Sequence, residues 1–315
     1  MTTRTTALPR VRRLGMACVA LAAALCLGTA APAHAAEPAW VTASNAHTRM
    51  VLAAQGAFAP EFAANQGLPQ FDGKTLDLGP GVVQRGIAAW EKMAKTLRQR
   101  LAAERDPNVR QDLQVLPGRT ELDLAGARLN ARLVLNWTDA PHAVFDGISS
   151  LLDDQVPPAR RARALEMLQR YTGLAPGSAP LTALARARFE ESRQPGRVGP
   201  VKAQVVQAIA NTSTYASGIR ALFEKFKITG AAADAALAAM DSQFSAYAAW
   251  QQQAVLPLAR SDFRMPPALY AQALREAGID IAPEALIQRA QASYLEVRAA
   301  MEALAPQVVQ ARGLQ

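Results

Sequence analysis

The sequence is poor in the residues from which most catalytic centres are built. Its 315 residues include two cysteines, Cys18 and Cys26, and three histidines, His34, His47 and His142. Both cysteines and His34 fall within the first 35 residues, and that stretch reads as a leader. Arg4, Arg10, Arg12 and Arg13 give it a basic start, Gly15 to Ala31 is apolar, and Ala33-His34-Ala35 has the small-x-small pattern of a signal peptidase site. Cleavage is expected after Ala35. The apolar run is shorter than the ~20 residues of a spanning helix and ends in Pro32, so it does not read as a membrane anchor. Leu25 ahead of Cys26, and the early position of Cys18, do not fit lipidation. Gly15 sits where a twin-arginine signal prefers a large apolar residue. The expected location is therefore outside the cytoplasm, in the periplasm.

Loss of the leader excludes several chemistries from residues 36–315. Without cysteine there is no disulfide, no thiolate nucleophile and no sulfur metal ligand. A chain of that length can bury a core without such staples. The formal charge also falls. Four of the 34 Lys and Arg precede the cut and none of the 26 Asp and Glu does, which leaves +4 in place of +8. That balance gives no reason to expect a nucleic-acid partner or a stable membrane contact.

A zinc hydrolase needs several imidazoles in one place, usually with a glutamate as base. His47 and His142 lie far apart in the sequence, and neither has the His-Glu-x-x-His spacing. His47 falls on a helix near Asn45 to Arg49, and His142 reads as a loop residue after Pro141. No Gly-x-Ser-x-Gly elbow is present, and Gly147-Ile148-Ser149-Ser150 lacks the second glycine. Gly79-Pro80-Gly81 followed by Gln84 lacks the third glycine of a dinucleotide fingerprint, so it reads as a turn feeding a helix. Asp153-Asp154 and Glu190-Glu191 are consecutive carboxylates. On a helix they point about 100° apart, which suits caps or solvated faces rather than a shared-proton dyad. Arg160, Arg161, Arg163, Arg186 and Arg188 read either as exposed faces whose stems cover apolar neighbours or as an anion-binding surface. No catalytic, cofactor-binding or metal-binding residue is assigned.

What the sequence does contain is helical periodicity. Val83, Ile87, Trp90, Ala94, Leu97 and Leu101 predict a helix from Val82 to Asp106, stopped by Pro107. Val201, Val205, Ala208, Thr212, Tyr215, Ile219, Leu222 and Phe226 predict a second, with Gly230 at its C-terminus. Ala233, Leu237, Met240, Phe244 and Tyr247 predict a third, ending near Pro257. Ile287, Ala290, Tyr294, Val297, Met301, Leu304 and Val308 predict a last one, opened by Pro283. Shorter helices are expected over Arg160–Thr172, over Thr182–Ser192 with Thr182 as N-cap, and over Pro267–Ala277. Strand-type alternation is missing, Arg132 to Leu135 being the nearest approach. The expected fold is all-α: long antiparallel helices packed in an irregular array after a cleaved signal peptide.

A resemblance joins these segments. Tyr247-x-x-Trp250, Val255-Leu256-Pro257, the run Asp262-Phe263-Arg264-Met265-Pro266-Pro267-x-Leu269-Tyr270 and Gly278-Ile279-Asp280-x-x-Pro283 resemble the bacterial domain-of-unknown-function family numbered 885. Pro60-Glu61-Phe62, Leu76-Asp77-Leu78, Asp106-Pro107-Asn108-Val109 and Val144-Phe145-Asp146-Gly147 fit in order. Against that pattern, Pro117-Gly118 interrupts an expected continuous helix and predicts a kink or break. The resemblance implies an all-helical, zinc-dependent peptidase-like protein. Its metal-binding stretch, of the type His-Glu-x-x-Pro-Gly-His, lies in a C-terminal half that would follow Gln315. This chain would then be the helical N-terminal portion, residues 36–315, inactive alone, with zinc expected only in the absent half. The last apolar stripe runs almost to the terminus, so a missing domain or a partner protein is expected to cover it. The alternative is a free-standing periplasmic helical module that binds a peptide or partner protein.

Overall fold

The computed structural model describes residues 37–313; the expected leader, both cysteines and the last two residues lie outside the described residues. Pairs of turns and prolines divide the rest into helices. Helix α1 (Ala39–Gly56) and the short α2 (Pro60–Asn65) lead into α3 (Val82–Ala103) and α4 (Pro107–Leu133). Then come α5 (Ala140–Leu151), α6 (Pro158–Arg161), α7 (Ala164–Tyr171) and α8 (Leu181–Ser192). The chain ends with α9 (Lys202–Lys225), α10 (Ala231–Trp250), α11 (Pro267–Glu276) and α12 (Pro283–Arg312). The fold is all-α. Among the described residues, β-pairing is confined to the isolated bridges Val134–Val198 and Val201–Arg260.

The long helices form where the apolar spacing places them, and their stripes become the core. Val205, Ala208, Thr212 and Ile219 of α9 are buried, as are Ala233, Leu237, Met240, Phe244 and Tyr247 of α10. Ile219 and the α10 residues meet Val144, Ile148 and Leu151 of α5 and Met167, Leu168 and Tyr171 of α7 in the largest apolar cluster, while Val205 packs with Leu135, Phe189 and Val255 in a separate one. A smaller cluster joins Met93 and Leu97 of α3 to Leu113 of α4, with Met50 and Val51 of α1 packed on it. Each such side chain contributes about 1.5–3 kcal/mol by leaving water.

Proline 107 does two jobs. It follows the end of α3 and occupies the first turn of α4, where its missing N–H is no loss. Asp106 caps that turn by accepting from the amides of Asn108 (2.9 Å) and Val109 (3.4 Å).

Several local expectations need correction. The helix does not break at Pro117: α4 runs through it. Pro117 is buried beside Leu113, Thr120 and Leu124, and this packing holds the turn despite the lost backbone bond. Arg160–Thr172 is two helices, divided at Ala162-Arg163. Pro180, rather than Thr182, precedes the first turn of α8, and Thr182 is buried within it. Helix α9 ends at Lys225 and is closed not by Gly230 but by Lys227, a left-handed residue with φ of 56°. There the amide of Ile228 bonds the Phe223 carbonyl at 2.9 Å, the six-to-one closure that satisfies an orphan carbonyl. Gly230 instead opens α10. After Trp250 the helix widens into a π-type turn over Gln251–Val255, which the periodicity does not reveal.

Two contacts fix how these parts meet. The Tyr171 hydroxyl donates to Glu61 Oε1 at 2.6 Å, and the Leu76 amide donates to the same oxygen at 2.7 Å. Gly147 of α5 faces that hydroxyl, and a Cβ there would collide with it. Elsewhere, residues 199–202 cross residues 258–260. Arg260 donates its amide to the Pro200 carbonyl at 2.9 Å and accepts from the Lys202 amide at 2.8 Å. At this crossing a Cβ on Gly199 would run into the Leu258 carbonyl oxygen.

Burial raises the Glu61 carboxyl above its ordinary 4.5, with the Tyr171 hydroxyl partly opposing the shift. The folded protein therefore holds this proton more tightly than the unfolded chain does. The residue's contribution to stability is greatest below 4.5 and declines as pH rises through the raised folded value. Glu61→Gln is expected to flatten that decline in melts followed from pH 4 to 7; a slope equal to the parent's would refute the linkage. Tyr171→Phe, which removes a donor from a partly buried carboxylate, is expected to cost about 1–3 kcal/mol. Gly199→Ala is expected to cost a similar ~1–3 kcal/mol in urea titration, because backbone rather than a side chain must yield.

Candidate functional site

Helix α11 carries a large concavity, and its seat on α4 decides which side remains open. Gln272 is 2 % exposed and donates to the Leu122 carbonyl of α4 at 2.8 Å and to Glu276 Oε1 at 2.9 Å. Gly126 of α4 lets Glu276 approach, since a Cβ there would lie 2.6 Å from its Oε1. Leu269 is buried on the same side. The opposite side of α11 stays uncovered.

The flanking segments complete an open groove of about 1080 Å³. Before α11, Arg260 gathers the loop by donating to the carbonyls of Gly199, Asp262 and Arg264. That holds Phe263 (77 % exposed) and Met265 beside Tyr270 and Leu274 of α11. After it, Gly278 in the left-handed region (φ 71°) turns the chain so that Ile279 and Ile281 form the far wall. Arg264 and Arg275 provide positive charge at the groove, and Asp280 and Glu284 negative charge.

The groove leads to α12, a helix of 30 residues with no buried residue. Ile287, Tyr294, Val297, Met301, Leu304 and Val308 are between 48 % and 66 % exposed. Their alternating spacing is that of the covered stripes on α3, α9 and α10. Groove and stripe form an apolar surface of a kind that soluble proteins usually cover or use.

The histidines do not meet a metal-type donor set. Among the described residues no three of His, Cys, Asp and Glu come together. His47 Nδ1 lies 3.2 Å from Arg100 on α3. His142 is not in a loop: it lies in the first turn of α5, which Asp139 caps through the His142 amide. Its ring faces Asp146 at 3.3 Å and leans on Tyr215.

Most of the five arginines go to separate duties. Arg160 makes a two-pronged pair with buried Asp72 (2.7 and 2.9 Å), and Arg163 pairs with Glu166. Arg161 lies over Phe226, and Arg186 over Trp250. Arg188 alone is buried, beside Glu191. The acidic pairs likewise separate: Glu190 pairs with Arg193, and Asp154 with Lys225. Sequence reasoning missed the groove, because Phe263 and Met265 lie between helices, where periodicity carries no signal.

Residues 60–315 match the family described as "Bacterial protein of unknown function (DUF885)". The chain belongs to that family. The α11 groove and α12 both fall within the matched part of this DUF885 protein. No curated protein and no solved structure matches it significantly. Among the described residues no helix is long and apolar enough to cross a membrane.

Because no α12 side chain is buried, removing residues 283–315 is expected to leave the thermal midpoint of the rest within about 2 °C, a shift below that of a ~1 kcal/mol change. Binding of the dye ANS is expected to fall in the same variant. A larger loss of melting temperature would show that α12 supports the body.

Proposed function

We propose that this chain is the exported, helical, non-catalytic part of a zinc-dependent peptidase-like protein. In this reading the α11 groove and the α12 stripe receive the metal-bearing part and help to wall a peptide cleft. The single observation that carries it is α12: thirty residues with a regular apolar stripe and nothing buried. An apolar face of that length gains its stability when covered. Zinc would be held by the covering polypeptide, and residues 36–315 would supply no ligand. Export through the leader, cleaved after Ala35, would place the assembly in the periplasm.

A second reading rests on the groove. A concavity of about 1080 Å³ with aromatic walls and charges of both signs also suits a free-standing module that takes a peptide or partner segment.

Zinc content and peptide hydrolysis separate the first reading from its failure. The purified chain is expected to hold well under one zinc per molecule and to cleave no peptide. Mixing with a family polypeptide bearing the His-Glu-x-x-Pro-Gly-His stretch is expected to yield a complex that protects α12 from hydrogen exchange. Stoichiometric zinc with hydrolysis by the chain alone would overturn the proposal. A monomer that saturates with peptide and ignores the zinc-bearing polypeptide would establish the second reading.

A further inference from the structure

A second, smaller pocket lies away from the groove, and its lining is polar. It holds about 210 Å³ between the first turn of α3 (Val83 and Gln84), Asn136, and the end of α8 with the loop beyond it. Arg188 of α8 and Arg197 of the loop enter it, together with Glu191 and Gln194.

Arg188 is the unusual member. It is 4 % exposed, yet its Nε–H has no hydrogen-bond partner, and its ion-pair partner is Glu191 one turn on, whose side chain is 43 % exposed. A buried guanidinium is expected to engage its fork of donors fully, because each unmet donor forfeits its hydration. Nε itself is shut off from solvent, while other parts of the Arg188 side chain line an open space large enough for several water-sized groups.

The neighbouring helix end independently favours negative charge. Helix α3 is 22 residues long, no side chain caps its N-terminus, and no acidic residue stands in its first turn. Its leading amides and dipole therefore present roughly half a positive charge. Gly81, left-handed at φ 64°, provides no side chain to fill that role. Glu191 and the carboxyl end of α8 oppose this, although Arg197 already donates to the Ser192 carbonyl at 2.8 Å and offsets the latter.

We propose that this pocket binds a small oxyanion, a phosphate or carboxylate group, between Arg188, Arg197 and the amino end of α3. Arg188 and Arg197 supply positive charge, Gln84, Asn136 and Gln194 add side-chain amides, and α3 adds its dipole. Burial, with Arg85 nearby, holds the Arg188 guanidinium below its ordinary value; an anion beside it relieves that pressure. Glu191 acts as the competitor that occupies Arg188 while the pocket is empty of anion. The site needs no zinc and stands apart from the peptidase-like reading.

The test is calorimetric titration of the full chain with inorganic phosphate and with acetate at constant ionic strength, with chloride as control. One saturable site for phosphate, acetate or both, absent with chloride, is expected. Arg188→Met is expected to weaken it at least tenfold. Should that variant fail to fold, Arg197→Gln, expected to weaken binding severalfold, and Glu191→Gln, expected to tighten it severalfold, carry the test at less buried positions. Arg193→Gln, which alters a nearby arginine that does not line the pocket, is expected to leave the affinity unchanged. Absence of a saturable site, equal binding of chloride, or an affinity indifferent to both Arg197→Gln and Glu191→Gln would overturn the proposal.

Discussion

Tyr171 reaches the carboxylate of Glu61 past a position on α5 that has no side chain. The contact brings α2, α5 and α7 to one point, and the main apolar cluster is built outward from it. A carboxylate drawn partly out of water is costly unless donors meet it. The phenol and the Leu76 amide meet this one, so the segment after α2 is held by polar bonds against an otherwise apolar wall. Ile148 and Leu151 then face Leu168, and α9 and α10 close over both. Gly147 is thus less a point of freedom than a gap shaped for a hydroxyl.

The long helices were legible because their apolar residues repeat at helical spacing, and burial follows that spacing in α3, α9 and α10. The same spacing in α12 is not buried. Periodicity reports which face of a helix is apolar; it does not report whether anything covers that face. Boundaries failed where a residue's role depends on its neighbours. Pro117 continues a helix because it is packed on α4's buried side, and Lys227 takes a left-handed turn that glycine would ordinarily take. His142 looked like loop because Pro141 precedes it, yet a proline in a first turn with an aspartate cap is a helix start.

The two candidate sites were unequal in what the sequence showed of them. The groove uses residues between helices, and it exists because Gln272 and Gly126 dock one side of α11 and leave the other open. The polar pocket uses Arg188, one of five arginines of similar sequence context. Only tertiary structure separates it from Arg160, which meets buried Asp72 with both prongs engaged. The difference between a structural arginine and a candidate binding arginine is here a matter of how many donors are already spent.

Helix α12 has no buried residue and only Pro283, Ala285 and Leu286 of its first turn partly covered, so its helicity rests mainly on local propensities and on single pairs such as Arg298 with Glu302 at 2.8 Å. Alanine, leucine and glutamate favour it, while Pro306 removes one backbone bond from its last third. Nucleation is costly and propagation only mildly favourable, so such a helix melts gradually rather than in one step. The body around Tyr171 has the packed core of a cooperative unit. One continuous chain thus joins two thermal regimes, and whatever covers α12 would draw the second into the first. Its association would carry the heat-capacity signature of coupled folding as well as of surface contact.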